Sequence, residues 1–299
     1  MKKMLMVGLI GGCLLVGVCY GKKEKAAEPG PSLPERYEFV RDVVFGKGGD
    51  TDLMLNYARL KENKGKKIPV VVMIHGGGWF SGSRNGGQDM LMKFSDMGYF
   101  AANIDYRLSN VVRFPAQIED SKCAVRFLRA KAEELNINAE KIACFGASAG
   151  GHLAALLGAS NGVKELEGNG GWSGVSSSVQ AVIDYYGPTD FNKMADSKSF
   201  GLELAFENLF GAPLASKKEL MKIASPVTYV NKNTPPFMIV HGLTDATVPV
   251  AQSELLANLL KKNEVEVIYL PIKGGHGGPY FFSPEIMAAM KGFLKKNIE

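Results

Sequence analysis

The sequence predicts a doubly wound α/β fold: a mostly parallel sheet with helices on both faces, an opening β-hairpin and a short cap. Three observations predict it. Short apolar runs alternate with segments of helical periodicity along most of the chain. A Gly-x-Ser-x-Gly pentapeptide, Gly146 to Gly150, falls at a strand-to-helix junction. The chain has 299 residues, 46% hydrophobic and 22% charged, which is a globular balance and long enough to bury a core without staples.

Taken in order, Lys2 and Lys3 precede an uncharged run from Met4 to Gly21, the pattern of an export leader. Three forms of it stay open. Cys19 and Gly21 are small enough for signal-peptidase cleavage; Ile10-Gly11-Gly12-Cys13 resembles a lipoprotein box that would place a lipid on Cys13; an uncleaved anchor just reaches spanning length. All three put the folded part outside the cytoplasm, in the periplasm, at the cell surface or secreted. Residues 22–36 are charged and proline-rich, a flexible linker. Residues 37–299 then form one domain that would carry whatever chemistry the chain performs.

Alternating segments Tyr37 to Val44 and Leu53 to Leu60 form the hairpin, with Gly46, Gly48, Gly49 and Asp50 as turn residues. Ile68 to Ile74 and Tyr99 to Ile104 are buried strands. Pro115 to Leu135 is one helix by the spacing of Ile118, Ala124, Val125, Phe127 and Leu128. Strand Lys141 to Phe145 leads through Ser148 into a helix that includes His152 to Leu157. Val179 to Tyr186, Phe237 to His241 and Val265 to Leu270 are further strands; helices Val250 to Leu260 and Ile286 to Lys296 complete the pattern. Gly168 to Gly174 follows no strand and reads as a surface loop.

Composition excludes several classes. The net charge is +5 without a basic cluster, so no nucleic-acid partner is expected. Of four cysteines, Cys13 and Cys19 lie in the leader, while Cys123 and Cys144 fall in buried elements and read as free thiols. No cluster has metal-ligand spacing and no cofactor fingerprint is present, so neither metal nor cofactor is expected.

The chemistry concentrates at five places. Ser148 on a tight turn between strand and helix is the candidate nucleophile. His75-Gly76-Gly77-Gly78-Trp79 ends a buried strand, and its glycine N–H groups suit a developing oxyanion. Among four histidines, His276 stands in a glycine loop after the last strand, the setting for a base that takes and returns a proton. His75 more plausibly braces its loop, and His152 is fixed by the helix after Ser148. Asp245, after the penultimate strand, is the acid that would orient His276, with Asp190 as the alternative. The chain order Ser148, Asp245, His276 suits this architecture. Trp79, Phe80, Tyr280, Phe281 and Phe282 could line an acyl or aryl pocket.

These landmarks resemble the α/β-hydrolase superfamily, and within it the hormone-sensitive-lipase-like esterases and the related bacterial acetyl and feruloyl esterases. The likeness runs from about Val43 to the C-terminus through HGGGW (75–79), DYRL (105–108), GASAGG (146–151), HGLTDATVP (241–249) and GHGG (275–278). It implies an oxyanion hole from Gly77, Gly78 and Ala149, and a buried ion pair between Asp105 and Arg107. Only the linker precedes the hairpin, so a short cap is expected, and residues 188–232 read either as a small lid or as an ordinary core helix. Leu202, Phe206, Leu209 and Phe210 carry both readings.

The resemblance implies a serine carboxylic-ester hydrolase acting through an acyl-enzyme on short-chain acyl esters, with acetyl or feruloyl esters of plant cell-wall polysaccharide as the expected substrates. A general short-chain carboxylesterase and an amidase or formamidase-type hydrolase use the same residues. A non-catalytic binding homologue typically lacks a triad member, and this chain retains all three. The expected partner is a small-molecule or carbohydrate ester. Membrane contact would come only through a lipid or N-terminal anchor, and oligomeric state is left open.

Overall fold

A computed structural model of the protein describes residues 34–195 and 202–299. The leader, most of the linker and the side chain of Leu202 lie outside the described residues.

Eight strands form one sheet: β1 (Tyr37–Gly48), β2 (Thr51–Leu60), β3 (Ile68–Ile74), β4 (Phe100–Ile104), β5 (Ile137–Ala147), β6 (Ala181–Tyr185), β7 (Phe237–Gly242) and β8 (Val267–Ile272). Their spatial order is β1-β2-β4-β3-β5-β6-β7-β8; β1 and β2 pair antiparallel, β2 pairs antiparallel with β4, and β3 to β8 run parallel. The helices are α1 (Gln88–Asp96), α2 (Ala116–Ala130), α3 (Ala132–Leu135), α4 (Ala149–Ala159), α5 (Phe191–Ala195), α6 (Leu202–Phe210), α7 (Lys218–Ala224), α8 (Ala251–Lys262) and α9 (Pro284–Ile298).

The period of two along β3 explains its unbroken apolar run, because both faces are covered. Val70, Val72 and Ile74 join a core layer with Leu128 of α2, Leu153 of α4 and Leu256 of α8. Val71 and Met73 join the opposite layer with Phe94 of α1 and Phe293 of α9. The parallel strands thus end together on one edge, where a doubly wound sheet presents its loops.

Two expectations are corrected, one helix is added, and one open alternative is decided. Gly46 and Gly48 belong to β1 and not to the turn: a Cβ on Gly46 would press on Cys123 and the Gly170 carbonyl, and one on Gly48 on the Arg107 side chain. The predicted single helix from Pro115 breaks at Lys131 into α2 and α3. Helix α1, between β3 and β4, was not among the expected elements. The segment 188–232 holds α5 to α7, and Phe206, Leu209 and Phe210 are buried with Phe191 and Trp79 in the main core. Cys123 and Cys144 are buried free thiols, as expected.

Candidate active site

Ser148 sits between β5 and α4 with φ 58° and ψ −124°, a strained conformation for a residue with a Cβ. The turn holds because its neighbours are small. A Cβ on Gly146 would collide with the Gly150 carbonyl, one on Gly150 with the Ile74 carbonyl, and one on Gly151 with Asp184 and the Tyr185 carbonyl. The Ser148 N–H donates to the Tyr185 carbonyl at 2.8 Å, and its own carbonyl accepts from His152 N–H at 3.0 Å. Its hydroxyl makes no cap bond to α4, so it is free to face another partner.

That partner is His276, whose Nε2 lies 2.8 Å from Ser148 Oγ. His276 Nδ1 lies 2.7 Å from Asp245 Oδ2. An ionised carboxylate only accepts, so Nδ1 carries the proton and Nε2 is left to accept from the serine hydroxyl. Asp245 Oδ1 accepts from the N–H groups of Thr247 and Val248 at 2.8 and 2.9 Å. Burial alone would raise the Asp245 carboxyl; hydrogen bonds from His241 and His276 and from Val248 N–H outweigh it and hold the carboxyl well below its usual range. The structure therefore brings together the three residues that chain order singled out.

The glycine run after β3 lies alongside. A Cβ on Gly76 would sit 3.5 Å from Ser148 Cβ. Gly77 and Gly78 have φ of 112° and 60°, and the Gly77 carbonyl is held by the N–H groups of Phe80 and Ser81 at 3.2 and 3.0 Å. His75 braces this loop as expected, with Nδ1–H donating to the Gly76 carbonyl at 2.7 Å and its ring stacked on Tyr106 at 4.2 Å. Among the described residues, no hydrogen bond uses the N–H groups of Gly77, Gly78 or Ala149. Ala149 N–H lies at the positive end of α4, next to Ser148.

The other histidines are engaged elsewhere. His152 is fully buried between Trp79 and α7: it accepts from Trp79 Nε1–H at 3.0 Å and donates from Nε2 to the Ala224 carbonyl at 2.8 Å, and burial lowers its pKa to about 4. Asp190 caps the turn before α5 through Lys193 N–H at 3.1 Å, and is not part of the triad.

Of the pocket candidates, Trp79 and Phe281 are corrected. Trp79 is buried against Phe191 and Phe206 and tied to His152, and Phe281 is buried against Tyr185 and Tyr186. Both fill core space and offer no open wall. Phe80 and Tyr280 are 37% and 55% exposed, Phe80 against Gly78 of the glycine run and Tyr280 beside Gly274 of the His276 loop. Phe282 is also exposed. The expected Asp105–Arg107 pair is not formed. Asp105 instead pairs with Arg84, and Arg107 with Asp120 at 2.8 Å, since α2 brings a buried carboxylate to the arginine.

Sequence reasoning missed Tyr186, whose ring packs edge-on against His276 at 4.7 Å from a backbone at φ 44°. It also missed His241, which touches Asp245 from behind. A positive φ is invisible in sequence, but a histidine opening the segment that ends in the triad acid was a usable signal. No group of three or more His, Cys, Asp or Glu among the described residues is placed to hold a metal.

Comparison with known proteins matches the geometry. Residues 58–260 match the BD-FAE family. Esterase LipC of Mycobacterium tuberculosis is 31% identical over 81% of this chain and 60% of its own length. Two further mycobacterial relatives are matched over 59% and 58% of theirs, so the chain spans about three-fifths of these curated relatives. Among solved structures, a truncated carbohydrate esterase from gut microbiota is 27% identical with a TM-score of 0.78, covering 88% of this chain and 98% of that one. An acetyl ester-xyloside bifunctional hydrolase from Caldicellulosiruptor lactoaceticus is 25% identical with a TM-score of 0.69, covering 83% and 89%. With the match over residues 58–260 and the eight-stranded sheet behind it, the chain belongs to the BD-FAE family, in the hormone-sensitive-lipase-like branch of the α/β-hydrolase superfamily.

Proposed function

We propose that this protein is a serine carboxylic-ester hydrolase that works through an acyl-enzyme. The observation that carries the reading is the continuous chain Ser148 Oγ, His276, Asp245 Oδ2 at 2.8 and 2.7 Å, rising from a strained turn. In this reading His276 Nε2 takes the proton from Ser148 as Oγ bonds to the ester carbonyl carbon. The carbonyl oxygen becomes an anion facing the N–H groups of Gly77, Gly78 and Ala149. The tetrahedral species collapses, His276 protonates the departing alcohol, and the acyl group stays on Ser148. Water then gives a proton to His276 and attacks the acyl carbon, and the same steps reversed release the acid and restore the serine.

We infer short acyl esters on carbohydrate as the substrates, acetyl or feruloyl groups of plant cell-wall polysaccharide. Two solved relatives that act on carbohydrate esters by name support this, together with the exposed rings of Phe80 beside the glycine run and Tyr280 beside the His276 loop. Burial of Phe206, Leu209 and Phe210 supports a short fixed cap over a deep lipid groove. Export fits such polymeric substrates, and the leader from Lys2 to Gly21 supports it, with Cys13 as the site of a lipid in the tethered form.

The test is acetate release from acetylated xylan oligosaccharides and from 4-nitrophenyl acetate, with Ser148→Ala beside the wild type. Serine-dependent release from both is expected. Hydrolysis of the small ester alone discards the carbohydrate substrate, and near wild-type hydrolysis by Ser148→Ala discards the mechanism.

A further inference from the structure

We propose that His241 is a positioning residue of this site: as a neutral imidazole protonated on Nε2 it holds the Asp245 carboxylate at the same oxygen that His276 uses. The inference rests on the triad reading above and adds a fourth side chain to it.

His241 is fully buried at the end of β7. Its Nε2 lies 2.8 Å from the Val248 carbonyl and 3.3 Å from Asp245 Oδ2. Both neighbours only accept, so Nε2 carries the proton and donates it to the Val248 carbonyl, with the Asp245 carboxylate in close electrostatic contact. Its Nδ1 lies 2.7 Å from Ser253 Oγ on α8, a hydroxyl that donates to the bare nitrogen of a neutral ring. The ring thus ties β7 to α8 and to Asp245 and Val248 of the following loop. Asp245 Oδ1 accepts from Thr247 and Val248 N–H, and Oδ2 from His276 Nδ1–H, with His241 Nε2 against the same oxygen at 3.3 Å.

The groups facing His241 are Asp245, Asp184 on β6 and the Tyr186 ring at 6.4 Å, with His276 beyond Asp245. Tyr186 stays neutral, its hydroxyl pushed up to about 12 by burial. A cation at His241 would compete with the His276 imidazolium for the same carboxylate oxygen, whereas a neutral donor orients that oxygen without competing. The carboxylate held in this way keeps His276 in the Nδ1–H tautomer with Nε2 turned to Ser148.

The test compares His241→Asn, His241→Gln and Ser148→Ala with the wild type on 4-nitrophenyl acetate, with thermal midpoints for each. Asparagine reaches only the Nδ1 position, so kcat should fall on the order of tenfold or more while KM stays within about twofold. Glutamine places an amide N–H near the Nε2 position and should recover most of that loss. Wild-type kcat in folded His241→Asn, or equal losses in both variants, overturns the proposal. Imidazole nitrogen chemical shifts of the wild type, read under the conditions of the activity assay, give a reading that needs no variant to fold: the Nε2–H tautomer of His241 is expected. An Nδ1–H or doubly protonated ring overturns the proposal. Activity surviving in Ser148→Ala defeats the triad reading itself; inactive Ser148→Ala beside unaffected His241→Asn defeats only the role of His241.

Discussion

Around Ser148 a Cβ on Gly146, Gly150 or Gly151 would run into backbone carbonyls, whereas around His276 one on Gly274, Gly275 or Gly278 would meet no atom closer than 3.6 Å. The second group needs glycine for another reason: Gly274, Gly277 and Gly278 have φ of 126°, 97° and 112°. Ser148 is held by close packing of β3, β5, β6 and α4. His276 rides on a loop held by its dihedral angles and by what touches its ring. A serine that must meet both a carbonyl carbon and an oxyanion pocket needs a fixed position. A histidine that must serve first the serine and then the leaving group benefits from a looser mount.

The comparison can be broken from the base side first. Asp245→Asn lets the side-chain amide donate to His276 and favours the wrong tautomer, so kcat should fall on the order of 10⁴-fold with the fold retained. Kinetics beside a melting curve check it, and a loss of fold instead would mean that the base half is built by packing as well.

On the nucleophile side the cost should appear as stability. Gly150→Ala sets a methyl group against the Ile74 carbonyl, and backbone cannot turn aside as a side chain can. Destabilisation of about 3 kcal/mol or more is expected in denaturant unfolding. A near-neutral result would show the turn to be plastic.

A buried acid under the same turn gives a pH signature. Asp184 is fully buried, only its Oδ1 accepts a hydrogen bond, from Gly187 N–H at 2.9 Å, and burial pushes its carboxyl up to about 6. The folded state therefore keeps a proton that the unfolded chain has already released between about pH 4 and about pH 6, and stability falls as pH rises through that window. The stability of Asp184→Asn relative to the wild type should grow by about 2–3 kcal/mol from about pH 4 to about pH 7. A constant difference across that range would show that Asp184 is ionised throughout.

The smallest effect belongs to the roomy loop. Gly278→Ala meets open space but must adopt φ 112°, a strain of about 1–2 kcal/mol with the chemistry largely kept. A loss as large as that of Gly150→Ala would erase the distinction between the halves.

Most of the sheet was legible because strands β3 to β7 are largely buried and read as apolar runs, and the site was legible because its three chemical groups follow strand runs in order. What stayed hidden depends on partners distant in sequence. Gly46 and Gly48 look like turn residues until Cys123 and Arg107 are seen pressing on them. Trp79 and Phe281 are aromatic residues beside the triad, and only packing shows that their rings turn into the core. Asp105 and Arg107 look paired by proximity, but their charges are satisfied by Arg84 and Asp120. Helix α1 is short and half polar, QDMLMKFSD, so its periodicity is weak.

The central claim is that Ser148 is the one acylated atom of the site. Its most direct test is to inactivate the protein with diisopropyl fluorophosphate during a 4-nitrophenyl acetate assay and map the adduct by peptide mass spectrometry. The account predicts one adduct per chain, on the peptide carrying Ser148, formed in step with the loss of activity and absent from Ser148→Ala. Inactivation with the adduct on another residue, or full activity with Ser148 modified, would contradict it.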